Sequence, residues 1–231
     1  MEACIFFFVV GMKRIAIPAV VLFVIVALWL KRKDKSTTFF VVCGLAATAF
    51  FLLFIYGVRN GTVSKICTQF NIDMMGRDYL WQLANSYYRF SPSYMGRGFE
   101  FVDKIVVQWY NSGIINHAYP LHNDILKVFI ELGFPGFLIW SGMQYLVFPI
   151  FFLKYADSKT AVLYLAELGY MTVTYMTDNT AFYFWSTMAL KLIVLAYALN
   201  CKEIRKKEIE RWTPPKKEEI KSMMENMLYE N

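Results

Sequence analysis

Apolar residues in this chain come in long blocks, with short basic runs between them. Ala3 to Gly11 is apolar but too short to cross a bilayer, because a spanning helix needs about 20 residues. Met12-Lys13-Arg14 follows, then Ile15 to Leu30, an apolar run with Pro18 near its start. The cluster Lys31, Arg32, Lys33 and Lys35 closes that run, and Thr37 to Gly57 is the next block. A single helix over Ala3 to Leu30 would bury Lys13 and Arg14 near mid-bilayer, at about 2.5–3.5 kcal/mol each on insertion scales. Two pieces fit better: residues 3–11 as the stub of an earlier span, and residues 15–30 as a separate span. The stub predicts further helices upstream of this chain.

Residues 58–121 are polar enough for a water-facing loop, punctuated by Gly61, Gly76, Pro92, Gly96, Gly98, Gly113 and Pro120. Within it, Asp78 to Phe90 reads as a short amphipathic helix. Leu80, Leu83 and Tyr87 recur at helical spacing, and Ser91-Pro92 ends the pattern. Residues 122–153 are the next span, interrupted by Gly133, Pro135 and Gly136, which predict a kink or a re-entrant start. Two more spans follow, about 160–176 and 181–199, joined by the polar turn Thr177-Asp178-Asn179-Thr180. The pattern predicts an all-α fold, a polytopic transmembrane helix bundle with a large extracytoplasmic loop. Residues 1–200 form its membrane domain, and residues 201–231 a charged cytoplasmic tail broken at Pro214-Pro215.

Composition agrees with a bilayer setting. Of 231 residues, 57% are hydrophobic and 18% charged, against about 25% charged in a soluble domain. The net charge of +6 is not one patch, since the tail from Cys201 carries eight basic and seven acidic residues. No basic stripe with interleaved aromatics is present, so nucleic acid is not an expected partner. Lys31 to Lys35, Lys154 with Lys159, and Lys202 to Lys207 fall on one side when the spans alternate, and that side should be cytoplasmic. The loop 58–121, the Asp178 turn and Arg14 then face outward. Cys4, Cys43, Cys67 and Cys201 show no metal-ligand or redox spacing. The start lacks the positive region of a cleaved signal peptide.

The outward loop concentrates the polar chemistry. It carries Arg59, Lys65, Arg77, Arg89, Arg97 and Lys104, with Asp73, Asp78, Glu100 and Asp103. These arginines either pair with the loop's own carboxylates or recognise an anion, since guanidinium matches phosphate oxygens bidentately. His117 and His122 are the chain's two histidines. His122 stands where the loop enters a span, beside Asn123 and Asp124, and is either a polar anchor or a proton-transfer group. Lys127 and Glu131, four residues apart, read as a snorkelling ion pair or as polar groups on a substrate path. No nucleotide loop, nucleophile elbow or zinc-hydrolase motif is present, so no cofactor and no metal are expected.

Several stretches resemble the O-antigen ligase and polysaccharide polymerase family. Gly76-Arg77-Asp78-Tyr79-Leu80-Trp81 is similar to its G-R-x-x-x-W element, and Gly96-Arg97-Gly98-Phe99 to its G-x-G-F element. His122-Asn123-Asp124-Ile125-Leu126 followed by Glu131-Leu132-Gly133-Phe134-Pro135-Gly136 resembles its H-N-x-x-L…E-x-G-x-x-G signature. Thr177-Asp178-Asn179 resembles a polar turn near its last two helices. Met12-Lys13-Arg14 stands where the family has an S-R element, without the serine. The resemblance covers roughly Lys13 to Leu199. Members carry more helices than the five spans and stub found here.

The resemblance implies a glycosyltransferase of the bacterial inner membrane with its active site facing outside. It would move a glycan from an undecaprenyl-pyrophosphate carrier to an acceptor glycan or glycolipid, without metal or nucleotide. Arg77 would bind the carrier's pyrophosphate, with Arg14 as a second contact. His122 would act as base on the acceptor hydroxyl or orient it, and Arg97, Asn123 and Asp178 would support substrate binding. Nothing in the residues separates polymerase from ligase. A non-catalytic component or transporter of glycan-lipid assembly is the alternative, as is an inactive fragment of a longer enzyme. A transporter would show mid-span charges in paired broken helices, whereas here charges are read mainly in the loop.

Overall fold

The structure, a computed structural model, describes residues 35–177 without a break, together with residues 191–192 and 194–200 and a few positions between 21 and 28 and between 203 and 207. The described residues are helical and contain no strand. Arg14, Asp178, the stub 3–11 and most of the expected span 15–30 and tail 201–231 lie outside them. So does the first part of the expected span 181–199.

Helix α1, Thr37–Arg59, starts at Ser36, whose hydroxyl accepts from the Phe39 N–H, and so satisfies an otherwise open donor of the first turn. Its buried positions Phe40, Gly44, Phe51, Ile55 and Val58 form one stripe. The other faces are also apolar: Leu45 and Leu53 are 61% and 69% exposed. A helix apolar all round belongs in an apolar surrounding. Its 23 residues, with a mean hydropathy of 2.5 over an 18-residue stretch, make it one of two described helices long and apolar enough to cross a membrane.

The other is a 32-residue rod, Asp124–Tyr155, with a mean hydropathy of 1.6 over an 18-residue stretch. It is built from α5, Asp124–Gly142, a π-helical segment Met143–Val147, and α6, Phe148–Tyr155. The last described long helix follows after a short turn at Ala156 and Asp157 and runs Ser158–Thr177. It becomes α7 once three short helices of the intervening connection are counted: α2, Thr62–Gln69, α3, Arg77–Ala84, and α4, Phe101–Asn111. The connection read as a loop is therefore partly helical. The amphipathic pattern at Asp78–Phe90 resolves into α3 and a 3₁₀ turn, Asn85–Tyr87.

Chain direction follows from contacts at the ends. The Lys35 N–H donates to Ser158 Oγ at 2.7 Å, placing the starts of α1 and α7 together. The rod runs back between them and packs on both. At the rod's middle, Gly44 presses against the backbone of Tyr145 with no room for a Cβ. Thr48 and Ser141 share a hydrogen bond of 2.7 Å beside it, and Tyr145 and Thr172 share one of 2.6 Å. The connection 60–123 packs over the opposite end, where α1 finishes and α5 begins.

Candidate functional site

The rod breaks at Gly133, whose φ of 71° and ψ of −174° only glycine adopts readily. Pro135 has no N–H for the carbonyl of Glu131, and the break removes the Phe134 N–H from the carbonyl of Ile130. A strap, residues 94–98, supplies both missing donors. The Arg97 N–H donates to Ile130 O at 3.0 Å and the Gly98 N–H to Glu131 O at 2.9 Å. In return the Phe134 N–H donates to Tyr94 O at 2.7 Å. Gly96 lies on Gly133 so closely that a Cβ on either would run into the other's backbone. The G-x-G-F and E-x-G-x-x-G stretches are thus two halves of one backbone crossing.

Aromatic side chains cement that crossing. Phe129 is fully buried and is ringed by Tyr88, Phe90, Tyr94, Phe134 and Phe137 at centroid distances of 5.6–6.2 Å, each pair worth about 0.5–1.5 kcal/mol beyond its buried area. The Tyr94 hydroxyl also donates to Ile130 O at 2.7 Å.

Lys127 and Glu131 do not pair with each other. The Lys127 ammonium, nearly buried, meets Asp103 Oδ2 at 2.6 Å. Glu131 Oε1 accepts from the Val102 N–H at 3.1 Å and so caps the start of α4, where a carboxylate meets the positive end of the helix dipole. Both side chains fasten α4 to the rod. The expectation of a snorkelling pair fails because α4 offers each group a better partner.

Arg77 is the first residue of α3, after Gly76 at φ 77°. One turn on, about 6 Å along the axis, Trp81 is buried and donates from Nε1 to the carbonyl of Leu121 at 3.1 Å. Leu121 precedes His122. The Tyr79 hydroxyl reaches Ile114 O at 3.4 Å, so α3 touches the segment that carries His122 at two points. His122 is half-buried with φ of 52°, and the chain then turns through Asn123 into α5. Asn123 is fully buried, and its Oδ1 caps α5 by accepting from the Leu126 N–H at 2.9 Å. Among the described residues its Nδ2 has no hydrogen-bond partner. Asp124 is fully buried in the first turn, where the helix dipole favours a carboxylate.

The connection's arginines do not pair with its carboxylates. Arg59 donates to the carbonyls of Asn85 and Tyr88, at 2.9 and 2.6 Å, and sits over the Tyr88 ring. Arg97 donates from Nε to Tyr87 O at 2.9 Å. The side chains of Arg77 and Arg89 make no hydrogen bond or ion pair among the described residues. Arg97 is not beside His122: its backbone is tied to Ile130, eight residues and roughly 12 Å along the rod. It lines instead a cleft of about 470 Å³ with Arg89, Tyr87, Tyr88 and Tyr94.

Comparison with known proteins settles the family. The model of the O-antigen ligase family matches residues 3–141. The chain belongs to the O-antigen ligase family. No curated protein and no solved structure matches it. Membership makes lipid-linked glycan the substrate class and polysaccharide assembly at a membrane the setting. The part matched to the O-antigen ligase family contains Arg77, Trp81, the Gly96–Gly133 crossing and His122.

Beyond that part, sequence reading missed a second polar group. Glu167 on α7 is 7% exposed, and its Oε1 has no hydrogen-bond partner among the described residues. Lys191 lies within electrostatic range of it and donates from Nζ to Gln144 Oε1 at 2.8 Å. Tyr164 reaches the same Gln144 oxygen at 3.3 Å. Single charges inside long apolar runs were the available signal.

Proposed function

We propose that this chain is the glycosyl-transferring part of a polysaccharide polymerase or O-antigen ligase. In this reading it moves a glycan from undecaprenyl pyrophosphate to an acceptor glycan or glycolipid. The observation that carries the reading is the Trp81–Leu121 hydrogen bond. It ties the helix led by Arg77 to the residue before His122, so a guanidinium with no partner among the described residues and an imidazole share one end of the bundle. The Arg77 guanidinium binds the pyrophosphate and offsets the charge that grows on it as the anomeric bond breaks. His122 accepts the acceptor hydroxyl's proton or holds that hydroxyl in line for attack at the anomeric carbon. The Asn123 amide beside it is a buried donor in reserve for a substrate oxygen. Arg14 and Asp178 are assigned supporting contacts with the carrier on the family pattern alone.

The proposed setting is the bacterial inner membrane, crossed several times. Lys35, Lys154 and Lys159 share the end where α1 and α7 start, supported by the Lys35–Ser158 bond, and that end is the cytoplasmic one. The connection 60–123 then faces outside. Buried Glu167, with half-buried Lys191 within electrostatic range of it, is the observation that favours a transporter. Lys191 is bonded to Gln144, and the arginine side chains without a partner among the described residues, Arg77 and Arg89, lie in the connection, so the enzyme reading stands first.

The test is replacement of Arg77 by alanine and by lysine, and of His122 by alanine and asparagine, in the natural host. Surface polymer and membrane-inserted protein are measured together. Loss of polymer at normal protein level is expected for both alanine variants. Unchanged polymer in both would refute the site.

A further inference from the structure

The 470 Å³ cleft lies away from Arg77 and His122 and falls in the roughly 300–1,000 Å³ range of small-ligand sites. Its walls are Tyr87, Tyr88 and Tyr94, and its rim carries the hydroxyls of Ser86, Ser91 and Ser93. Its charged residues are Arg89 and Arg97, and no carboxylate lines it. Arg97 is anchored through Nε on Tyr87 O and through its N–H on Ile130 O, lies over the Phe101 ring and against the Tyr94 hydroxyl, and is still exposed. Arg89 is exposed and its side chain has no partner among the described residues. The floor is pre-shaped, because the Gly96–Gly133 crossing and the Phe129 cluster hold the strap before anything binds.

We propose that this cleft is a subsite for an acidic saccharide, a carboxylate-bearing sugar residue of the glycan chain on which the enzyme acts. The class follows from the lining. Two guanidinium forks with no competing acid select a carboxylate. The half-buried Tyr87 and the serine hydroxyls suit a ring with apolar faces and hydroxyl edges. A distance of roughly 12 Å along the rod from His122 is bridged by a sugar chain and not by the carrier's pyrophosphate held at Arg77. The inference rests on the glycosyltransferase reading and adds the charge of its substrate.

The experiment uses the full chain in lipid nanodiscs, with trigalacturonate and neutral maltotriose as probes in titration calorimetry. Trigalacturonate is expected to bind, more weakly as salt rises. Arg89→Gln and Arg97→Gln should each weaken it at least ten-fold, and maltotriose should bind far more weakly. Because the Arg89 side chain has no hydrogen bond to lose among the described residues, Arg89→Gln should leave thermal unfolding unchanged. Equal binding of maltotriose, no effect of Arg89→Gln, or displacement by inorganic pyrophosphate at the same concentration would each overturn the proposal. Trigalacturonate binding alongside normal polymer in the Arg77 and His122 variants would sink the catalytic reading and leave the subsite standing. Lost polymer in those variants, with trigalacturonate binding indifferent to Arg89→Gln, would do the reverse.

Discussion

Replacing Gly133 by alanine tests the backbone crossing most directly. Its φ of 71° and ψ of −174° lie where an alanine is strained by roughly 1–3 kcal/mol. The new Cβ would also enter the backbone of residues 94–96, so the strap must lift. Lifting removes the bonds Arg97 N–Ile130 O, Gly98 N–Glu131 O and Phe134 N–Tyr94 O, at about 1 kcal/mol each. The sum, about 4–6 kcal/mol, rivals the whole stability of a small domain, yet it falls on one strap that can detach locally. The control is Gly98→Ala, because Gly98 has a φ of 91° with no atom near its missing Cβ. It isolates backbone strain at roughly 1–2 kcal/mol. Hydrogen exchange of residues 91–98 in nanodiscs is the assay. Gly133→Ala should raise exchange there by at least two orders of magnitude, Gly98→Ala by about one. Equal effects in the two variants would show that strain alone acts and that the crossing is not what holds the strap.

Trp81→Phe keeps the ring that packs on Phe54 but removes the bond to Leu121. It should lose about 1 kcal/mol of stability and lower transfer more than unfolding temperature, read by product formation beside a thermal melt. Asp103→Asn leaves the nearly buried Lys127 ammonium without its partner; it should destabilise by roughly 1–3 kcal/mol, discounted because Asp103 is half exposed, and Lys127→Met should recover part of that loss in a double variant. Lys191→Met removes the bond to Gln144 and the cation near Glu167, and a drop of roughly 1–3 kcal/mol is expected in a detergent melt, part of it restored by adding Glu167→Gln. Burial pushes the Tyr88 and Tyr94 hydroxyls above the usual range, against the opposing pull of Arg59 and Arg97 respectively. A raised folded-state value means their stabilisation is full below about pH 10 and is lost as pH rises through the folded values. The alkaline melt should therefore be less steep in Tyr88→Phe.

The helical character of the chain could be read from the apolar blocks, because a run near 20 residues without turn residues leaves few other structures in an apolar solvent. Gly133 and Pro135 likewise announced a break, since neither the N–H nor the usual φ is there. What the break is for could not be read. Ile130 and Glu131 expose carbonyls only once the helix opens, and a one-dimensional string does not say that Gly96 and Gly98 come to meet them. The same limit hid Arg97's separation from His122, since their nearness in motif order carries no distance. Lys127 and Glu131 were read against each other because helix spacing is local, whereas α4, which takes both, arrives from elsewhere. Glu167 and Lys191 went unread because one charge hardly moves the average hydropathy of a long apolar run.

The π-helical segment Met143–Val147 has a consequence for how the bundle tolerates change. A π turn holds one residue more than an α turn closes with, so everything beyond it is rotated by about 100° relative to a regular helix. That offset lets Tyr145 reach Thr172 while Phe152 still points into the core. Deleting a single residue between 143 and 147 would restore an ordinary helix and leave Phe152 and Pro149 facing the core, whereas a deletion just outside that segment would turn them by about 100°. A deletion scan across the rod should therefore be most tolerant here, because the π turn already holds the residue that a regular helix would not need.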